Sequence, residues 1–238
     1  MFDFQNRIVM VAGATGNLGQ AVVRAFSTAG AKMVLLDRAT DRLARIYPEL
    51  SGSPNHLLLG SVDVTDADTV EQAAQRSLAH FGRVDVLANA VGGYRAGHPV
   101  HETPLSMWDT MMDLNARTAF VLSRAVVPQM LTQGEGKIVH VAARAALMGS
   151  GGAAAYSASK AIILRLVESM AAELRHEGIN VNCVLPGTID TPQNRKAMPN
   201  APIDRWVAPE AIADVILFLA SDAARAVNGA AVPVYGLS

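Results

Sequence analysis

The chain has 238 residues, with 20 Lys and Arg against 21 Asp and Glu, and half of it is hydrophobic. A chain of this size buries roughly 70% of its extended-chain surface, so neither a disulfide staple nor a structural metal is needed for a core. A net charge of −1 with no long run of one sign argues against a protein whose main work is gripping nucleic acid or an anionic membrane. The one cysteine, Cys183, rules out an internal disulfide framework and fits a reducing compartment. Asp3 and Arg7 fall too early for the apolar part of a signal peptide, and no apolar run reaches membrane-spanning length. A cytoplasmic globular protein is expected.

Apolar blocks and helical patterns alternate along the chain. Ile8–Ala12 reads as a first strand, followed by a glycine-rich turn and a helical stretch to Gly30. Residues 33–36 and 57–62 are the next strand candidates. Asp66 is placed to cap a helix with Val70, Ala73, Ala74 and Leu78 facing inward, and Gly82 can end it. Strands over 84–88, 138–141, 179–185 and Ala231–Val234 follow, separated by helical patterns over 106–131, 155–177 and Pro209–Ala220. Strands bounded by helices require right-handed crossovers and a parallel sheet covered on both faces. With no repeat or linker to divide it, residues 1–238 are expected to form one doubly wound α/β domain. Pro192, Pro199 and Pro202 interrupt 192–207, which reads as a loop or broken short helix. It follows a strand end, where ligands bind in such sheets, and is a candidate substrate lid.

The segment Val11-Ala12-Gly13-Ala14-Thr15-Gly16-Asn17-Leu18-Gly19 joins the first strand to the first helix. Glycines there let the backbone bend sharply and approach a pyrophosphate, while the helix start offers free N–H groups and a positive dipole end. A glycine triplet alone is weak. Its placement directly after an apolar strand, with Asp37 ending the next one, assigns a dinucleotide site. Gly13, Thr15, Gly16, Asn17, Leu18 and Gly19 would surround the phosphates, and Asp37 would bond the adenosine ribose. A carboxylate in that place repels a 2′-phosphate, so NAD(H) is favoured over NADP(H), although Arg38 beside it could attract that phosphate. Asp63 and Val64, after the third strand, are expected near the adenine. Asn89 and Ala90, after the fourth, are expected beside the ribose.

In Tyr156-Ser157-Ala158-Ser159-Lys160 the tyrosine and lysine stand four apart, on one helix face. A cation near a phenol favours the phenolate, which would lower a pKa that starts at about 10 and give an acid/base for carbonyl or alcohol chemistry. Together these residues resemble the short-chain dehydrogenase/reductase family across essentially the whole chain. The matching segments are AGATGNLG, the Asp37 strand end, DVTD, ANAVGG, DLNARTAF, YSASK, PGTIDT and the terminal FLASDAARAVNGAAVPVYG. The resemblance implies a three-layer Rossmann fold with a mainly seven-stranded parallel sheet. It implies an NAD(P)(H)-dependent oxidoreductase moving a hydride between nicotinamide and a small carbonyl/alcohol pair, assembled as a homodimer or homotetramer. It also implies that Tyr156 is the acid/base and that Lys160 holds the nicotinamide ribose and depresses the tyrosine pKa. Asn115 would anchor a water leading protons to the lysine, and Pro186, Gly187, Ile189 and Thr191 would line the nicotinamide and pyrophosphate.

One position departs from the pattern. The family usually places a serine 13 residues before the tyrosine to bond the substrate oxygen, and here that residue is Ala143. Losing such a donor commonly costs about 10²–10³ in rate. Two active readings follow: the substrate brings its own polarisation, or Arg144, Ser150, Tyr94 or His98 replaces the serine. The alternative is a dinucleotide-binding sensor or scaffold with little or no turnover. Val91 stands where glycine is usual, which would make the pocket floor bulkier. Arg95, Arg195 and Lys196 could pair with an acidic substrate. His140 is expected to be structural and Cys183 a core thiol. His98 and His101, with Pro99 between them, are not expected to hold a metal.

Overall fold

All five residues of the first strand, β1 (Ile8–Ala12), are buried. Val9 and Val11 enter one hydrophobic cluster, while Ile8, Met10 and Ala12 enter another. A strand apolar on both faces is stable only between two layers of helices. The protein, described over residues 2–237 by a computed structural model, supplies both layers. Among the described residues the sheet has seven parallel strands: β1, β2 (Lys32–Leu36), β3 (His56–Leu59), β4 (Val86–Asn89), β5 (Gly136–Val141), β6 (Ile179–Pro186) and β7 (Ala231–Val234). Their spatial order is β3-β2-β1-β4-β5-β6-β7. One face is covered by α1 (Asn17–Thr28), α2 (Arg42–Ile46) and α8 (Pro209–Ala220). The other carries α3 (Ala67–Phe81), α5 (Thr118–Gln133) and α6 (Ala154–Leu174). Winding runs outward in both directions from the β1/β4 pair, so the chain leaves a crevice over the carboxyl ends of these strands.

Most expected elements are present, and their edges differ for identifiable reasons. Asp66 caps α3 by accepting a hydrogen bond from the Asp68 N–H at 2.8 Å, and Gly82 ends that helix in the left-handed region with φ 77°. The third strand stops at Leu59, short of Val62. A Cβ at Gly60 would lie 2.3 Å from the Thr40 carbonyl oxygen, and Ser61 has φ 60°, so the chain turns there. The fourth strand begins at Val86, two residues late. The Gln133 side-chain amide takes both backbone groups of Val84 at 3.0 Å, in place of a neighbouring strand. The pattern over 106–131 is not one helix. It divides into α4 (Leu105–Met111), a wide π-helical turn over Met112–Arg117, and α5. The proline-rich segment contains a short helix, α7 (Pro192–Ala197), and a single 3-10 turn over Ile203–Arg205. Helix α2 was not anticipated, because five residues are too few to show a helical period.

Replacing Gln133 by leucine, similar in size, is expected to leave the Val84 N–H and carbonyl unpaired. A loss of roughly 1–3 kcal/mol is expected, read as a lower denaturation midpoint at unchanged m-value.

Candidate active site

The turn after β1 depends on missing side chains. Gly13 has φ +74°, and a Cβ on it would press within 3.0 Å of Val91 Cγ2. Val91 thus packs against the turn itself. A Cβ on Gly19 would lie only 2.0 Å from the Gly13 carbonyl oxygen, so only glycine lets α1 start this close to the strand end. The Gly16 N–H closes the turn on Gly13 O at 3.0 Å. Helix α1 has neither a side-chain cap nor an acidic residue in its first turn, which leaves its first N–H groups and positive dipole end to an anion. The cradle fits a dinucleotide pyrophosphate. Sequence reasoning missed the prop beneath it: Tyr47 Oη of the segment after α2 donates to Ala14 O at 2.5 Å, and burial pushes that phenol's pKa up.

Beside the turn, Thr15 Oγ1 donates to Asp37 Oδ2, and the Ala39 N–H donates to Asp37 Oδ1 at 2.7 Å. Asp37 is thereby fixed at the mouth of the glycine turn with acceptor capacity to spare. Asp63 bonds the Thr65 N–H and hydroxyl at 2.9 and 2.7 Å, which holds its carboxyl below the usual range, and the nearby charge of Arg38 adds to the effect. Val64 is half-buried against the helical layer. The Ala90 N–H donates to Ala12 O at 3.0 Å across the strand ends.

Asn89 is oriented from behind. Its Oδ1 accepts the Val91 N–H at 3.1 Å, and its Nδ2 donates to His140 Nδ1 at 3.2 Å. The His140 proton then lies on Nε2, facing Ser123 Oγ at 3.0 Å, whose own hydroxyl donates to Ala119 O at 2.7 Å. Every polar atom of this buried chain has a partner. His140 is structural, as expected; burial, and secondarily the Lys160 charge, bring its pKa down to about 4.

The wide turn after α4 carries Asn115 inward, fully buried. Its amide exchanges two hydrogen bonds with the backbone of Gly93, at 3.0 and 3.1 Å, and donates to Ser159 Oγ at 3.0 Å. Ser159 Oγ in turn donates to the Tyr156 carbonyl at 2.7 Å. Lys160 is buried with Nζ donating to Val141 O at 2.9 Å, and desolvation lowers its pKa to about 8. A Cβ on Gly92 would lie 3.0 Å from Lys160 Nζ and 3.1 Å from Asn115 Oδ1. The absent side chain leaves those two polar atoms flanking one open point. The expected depression of the Tyr156 pKa is corrected: burial, with the neighbouring Tyr94, raises it to about 12. The ammonium of Lys160 is directed at a backbone carbonyl, and its charge does not offset the desolvation of the phenol.

After β6, the Gly187 N–H following Pro186 donates to Val234 O at 3.1 Å, and Ile189 bridges to Val207. Thr191 caps α7 through Oγ1, which accepts the Asn194 N–H at 3.1 Å, while Asn194 Nδ2 donates to Ile189 O at 2.8 Å. Gln193 of α7 accepts a hydrogen bond from Asn17 in the glycine turn. Arg195 is committed to Asp190 by a two-pronged contact at 2.6 and 2.7 Å, so it is not held ready for an acidic substrate.

A family model described as Enoyl-(Acyl carrier protein) reductase matches residues 13–236, from the glycine turn through the tyrosine–lysine helix to the last strand. The chain belongs to the short-chain dehydrogenase/reductase family. A 3-oxoacyl-(acyl-carrier-protein) reductase of Thermotoga maritima is 31% identical over 98% of this chain and 97% of that protein. An NAD-dependent glycerol dehydrogenase of Listeria innocua is 30% identical over 96% of this chain and 92% of its own. A solved structure described as a short-chain type dehydrogenase/reductase from Mycobacterium ulcerans is similar with a TM-score of 0.91 and 26% identity, covering 99% and 90% of the two chains. This short-chain dehydrogenase/reductase is therefore an oxidoreductase enzyme with the Rossmann-like architecture of its relatives. Among the described residues no helix is long and apolar enough to cross a membrane, and no group of three His, Cys, Asp or Glu could hold a metal ion.

His140 has a usual pKa of 6.5 and a folded value of about 4, so on acidification the unfolded chain takes up the proton first. Its contribution to stability is complete above about 6.5 and is lost as pH falls toward the folded value. The melting temperature should drop across that interval. His140→Asn, which does not titrate there, should flatten the drop in a thermal denaturation series.

Proposed function

We propose that the enzyme interconverts a small carbonyl compound and its alcohol with NAD(H), using Tyr156 as acid/base. The observation that carries this reading is the convergence of Tyr156, Lys160 and Asn115 at the carboxyl edge of the sheet, beside the glycine cradle. The nicotinamide dinucleotide, when bound, supplies or accepts the hydride. Tyr156 Oη gives its proton to the substrate oxygen on reduction and takes it back on oxidation. A phenol that stays protonated up to about 12 is in the donor form that reduction uses. Lys160 and Asn115 border the open point above Gly92, where a ribose hydroxyl and a proton-carrying water would be held.

Asp37, fixed by Thr15 and Ala39, supports NAD(H) over NADP(H). Arg38, half-buried beside it, is the opposing feature, since its charge would attract a 2′-phosphate. Glycerol and 3-oxoacyl groups appear in the names of the two relatives, so the substrate class is a small alcohol, ketone or ketoacyl compound. The motifs and the one sheet occupy the chain as a single domain, which leaves selection to loops, including the 192–207 lid. These loops expose Tyr94, Leu147, Met148 and Met198. Leu105, Trp108, Phe120 and Ile162 are exposed on α4, α5 and α6, which favours a homodimer or homotetramer. The single free thiol supports a reducing, cytoplasmic location.

Tyr156→Phe is expected to lower kcat by about 10²–10⁴ while leaving the NADH dissociation constant unchanged in a fluorescence titration. NADH binding without tyrosine-dependent turnover, over a broad carbonyl and alcohol panel, would favour a sensor and overturn the reading. Asp37→Ala should weaken NADH binding about tenfold or more, the value of a hydrogen bond to a charged group, and narrow the preference against NADPH.

A further inference from the structure

A carbonyl oxygen that receives its proton from Tyr156 carries negative charge in the transition state, and a second donor stabilises that charge. At the end of β5 the buried Ala143 offers a methyl group and no donor. Four polar side chains on the surrounding loops are candidates in the sequence, and the structure separates them. The Arg144 guanidinium lies over the Tyr235 ring, 5.5 Å from its centroid. His98 and Ser150 are exposed and engage the fold through their carbonyl oxygens, which accept from Thr103 Oγ1 and the Ala153 N–H. Tyr94 packs edge-to-face on Tyr156 itself, with ring centroids 4.8 Å apart and planes at 82°.

The loop carrying Tyr94 is pinned on both sides. Gly93, immediately before it, exchanges two hydrogen bonds with Asn115, and Gly97 donates to Gly152 O at 2.8 Å. A Cβ on Gly93 would lie 2.4 Å from Leu114 Cδ2, which shows how closely this backbone is seated on the turn bearing Asn115. Tyr94 is nonetheless 68% exposed as a residue, so it borders solvent. A side chain with a fixed root, a T-shaped contact with the acid/base and an accessible remainder is preorganised to meet a substrate there.

We infer that Tyr94 donates the second hydrogen bond to the substrate oxygen, replacing from the loop after β4 the donor that Ala143 lacks at the end of β5. This rests on the carbonyl/alcohol reading above. In reduction the hydride adds to the carbonyl carbon, the C=O π pair moves to oxygen, and the Tyr156 proton completes the alcohol. Tyr94 keeps its own proton throughout, and its bond strengthens as charge grows on the oxygen. The neighbouring phenol also contributes to the raised pKa of Tyr156, which fits two polar rings sharing one site.

Tyr94→Phe keeps the ring contact and removes the hydroxyl. On a substrate found with the same carbonyl and alcohol panel, kcat is expected to fall about 10²–10³-fold, with the NADH dissociation constant and melting temperature unchanged. Adding Ala143→Ser to Tyr94→Phe should recover at least part of the loss, a rescue that a merely structural ring would not give. Wild-type kcat in Tyr94→Phe, or a loss matched by weakened NADH binding and no rescue by serine, overturns the assignment. Tyrosine-156-dependent turnover that ignores Tyr94 overturns this inference alone. Absence of turnover in the wild type and in Ala143→Ser overturns both it and the function on which it rests.

Discussion

The wide turn over Met112–Arg117 is the constraint on which the site depends. A regular α-helix through these residues would advance each side chain by a fixed angle. The extra residue in one turn, a device often found at functional positions, re-aims Asn115 into the protein. Once inside, an asparagine amide has to be satisfied in full, because an unpaired buried polar group is costly. Gly93 and Ser159 meet that demand, so a single amide joins the loop after β4 to the helix carrying Tyr156 and Lys160. The same junction seats Tyr94 and bounds the space above Gly92.

Around this junction the sheet works as a fixed stage. The reversal of winding at β1 and β4 brings the glycine turn, the Asn89 loop and the end of β5 to one edge. Polar side chains that face the edge are held from below by others that do not. Tyr47 supports Ala14, Thr15 holds Asp37, and the His140–Ser123 pair sets Asn89. Lys160, deprived of water, retains one carbonyl partner in Val141 and the opening left by a glycine.

What could be read in the sequence follows from how local each cause is. Apolar runs gave the seven strands, and the Asp66 and Gly82 signals marked α3, since period and caps are encoded within a few residues. The Tyr156–Lys160 spacing and the glycine turn were legible for the same reason. The late start of β4 was not, because Gln133, far along the chain, takes up the backbone of Val84. Neither was the break after Met111, since a π turn leaves the apolar pattern of its flanks intact. The direction of the Tyr156 shift was misread, because helix spacing says nothing about where an ammonium points once β5 offers it a carbonyl. Ala143 announced a missing donor, but the contact between the Tyr94 and Tyr156 rings joins residues far apart in the chain and has no local signal.

The contact between Asn17 and Gln193 links the glycine turn directly to α7. One neutral amide pair at an exposed position contributes on the order of 1 kcal/mol, so it shifts an equilibrium by a factor no larger than about ten. Such a contact biases the six residues of α7 toward the crevice without locking them there. An anion bound at the start of α1 would compete for the same asparagine, at little energetic cost. Occupancy of the cradle and the position of the neighbouring segment would then be coupled, through a side chain at the first residue of the helix.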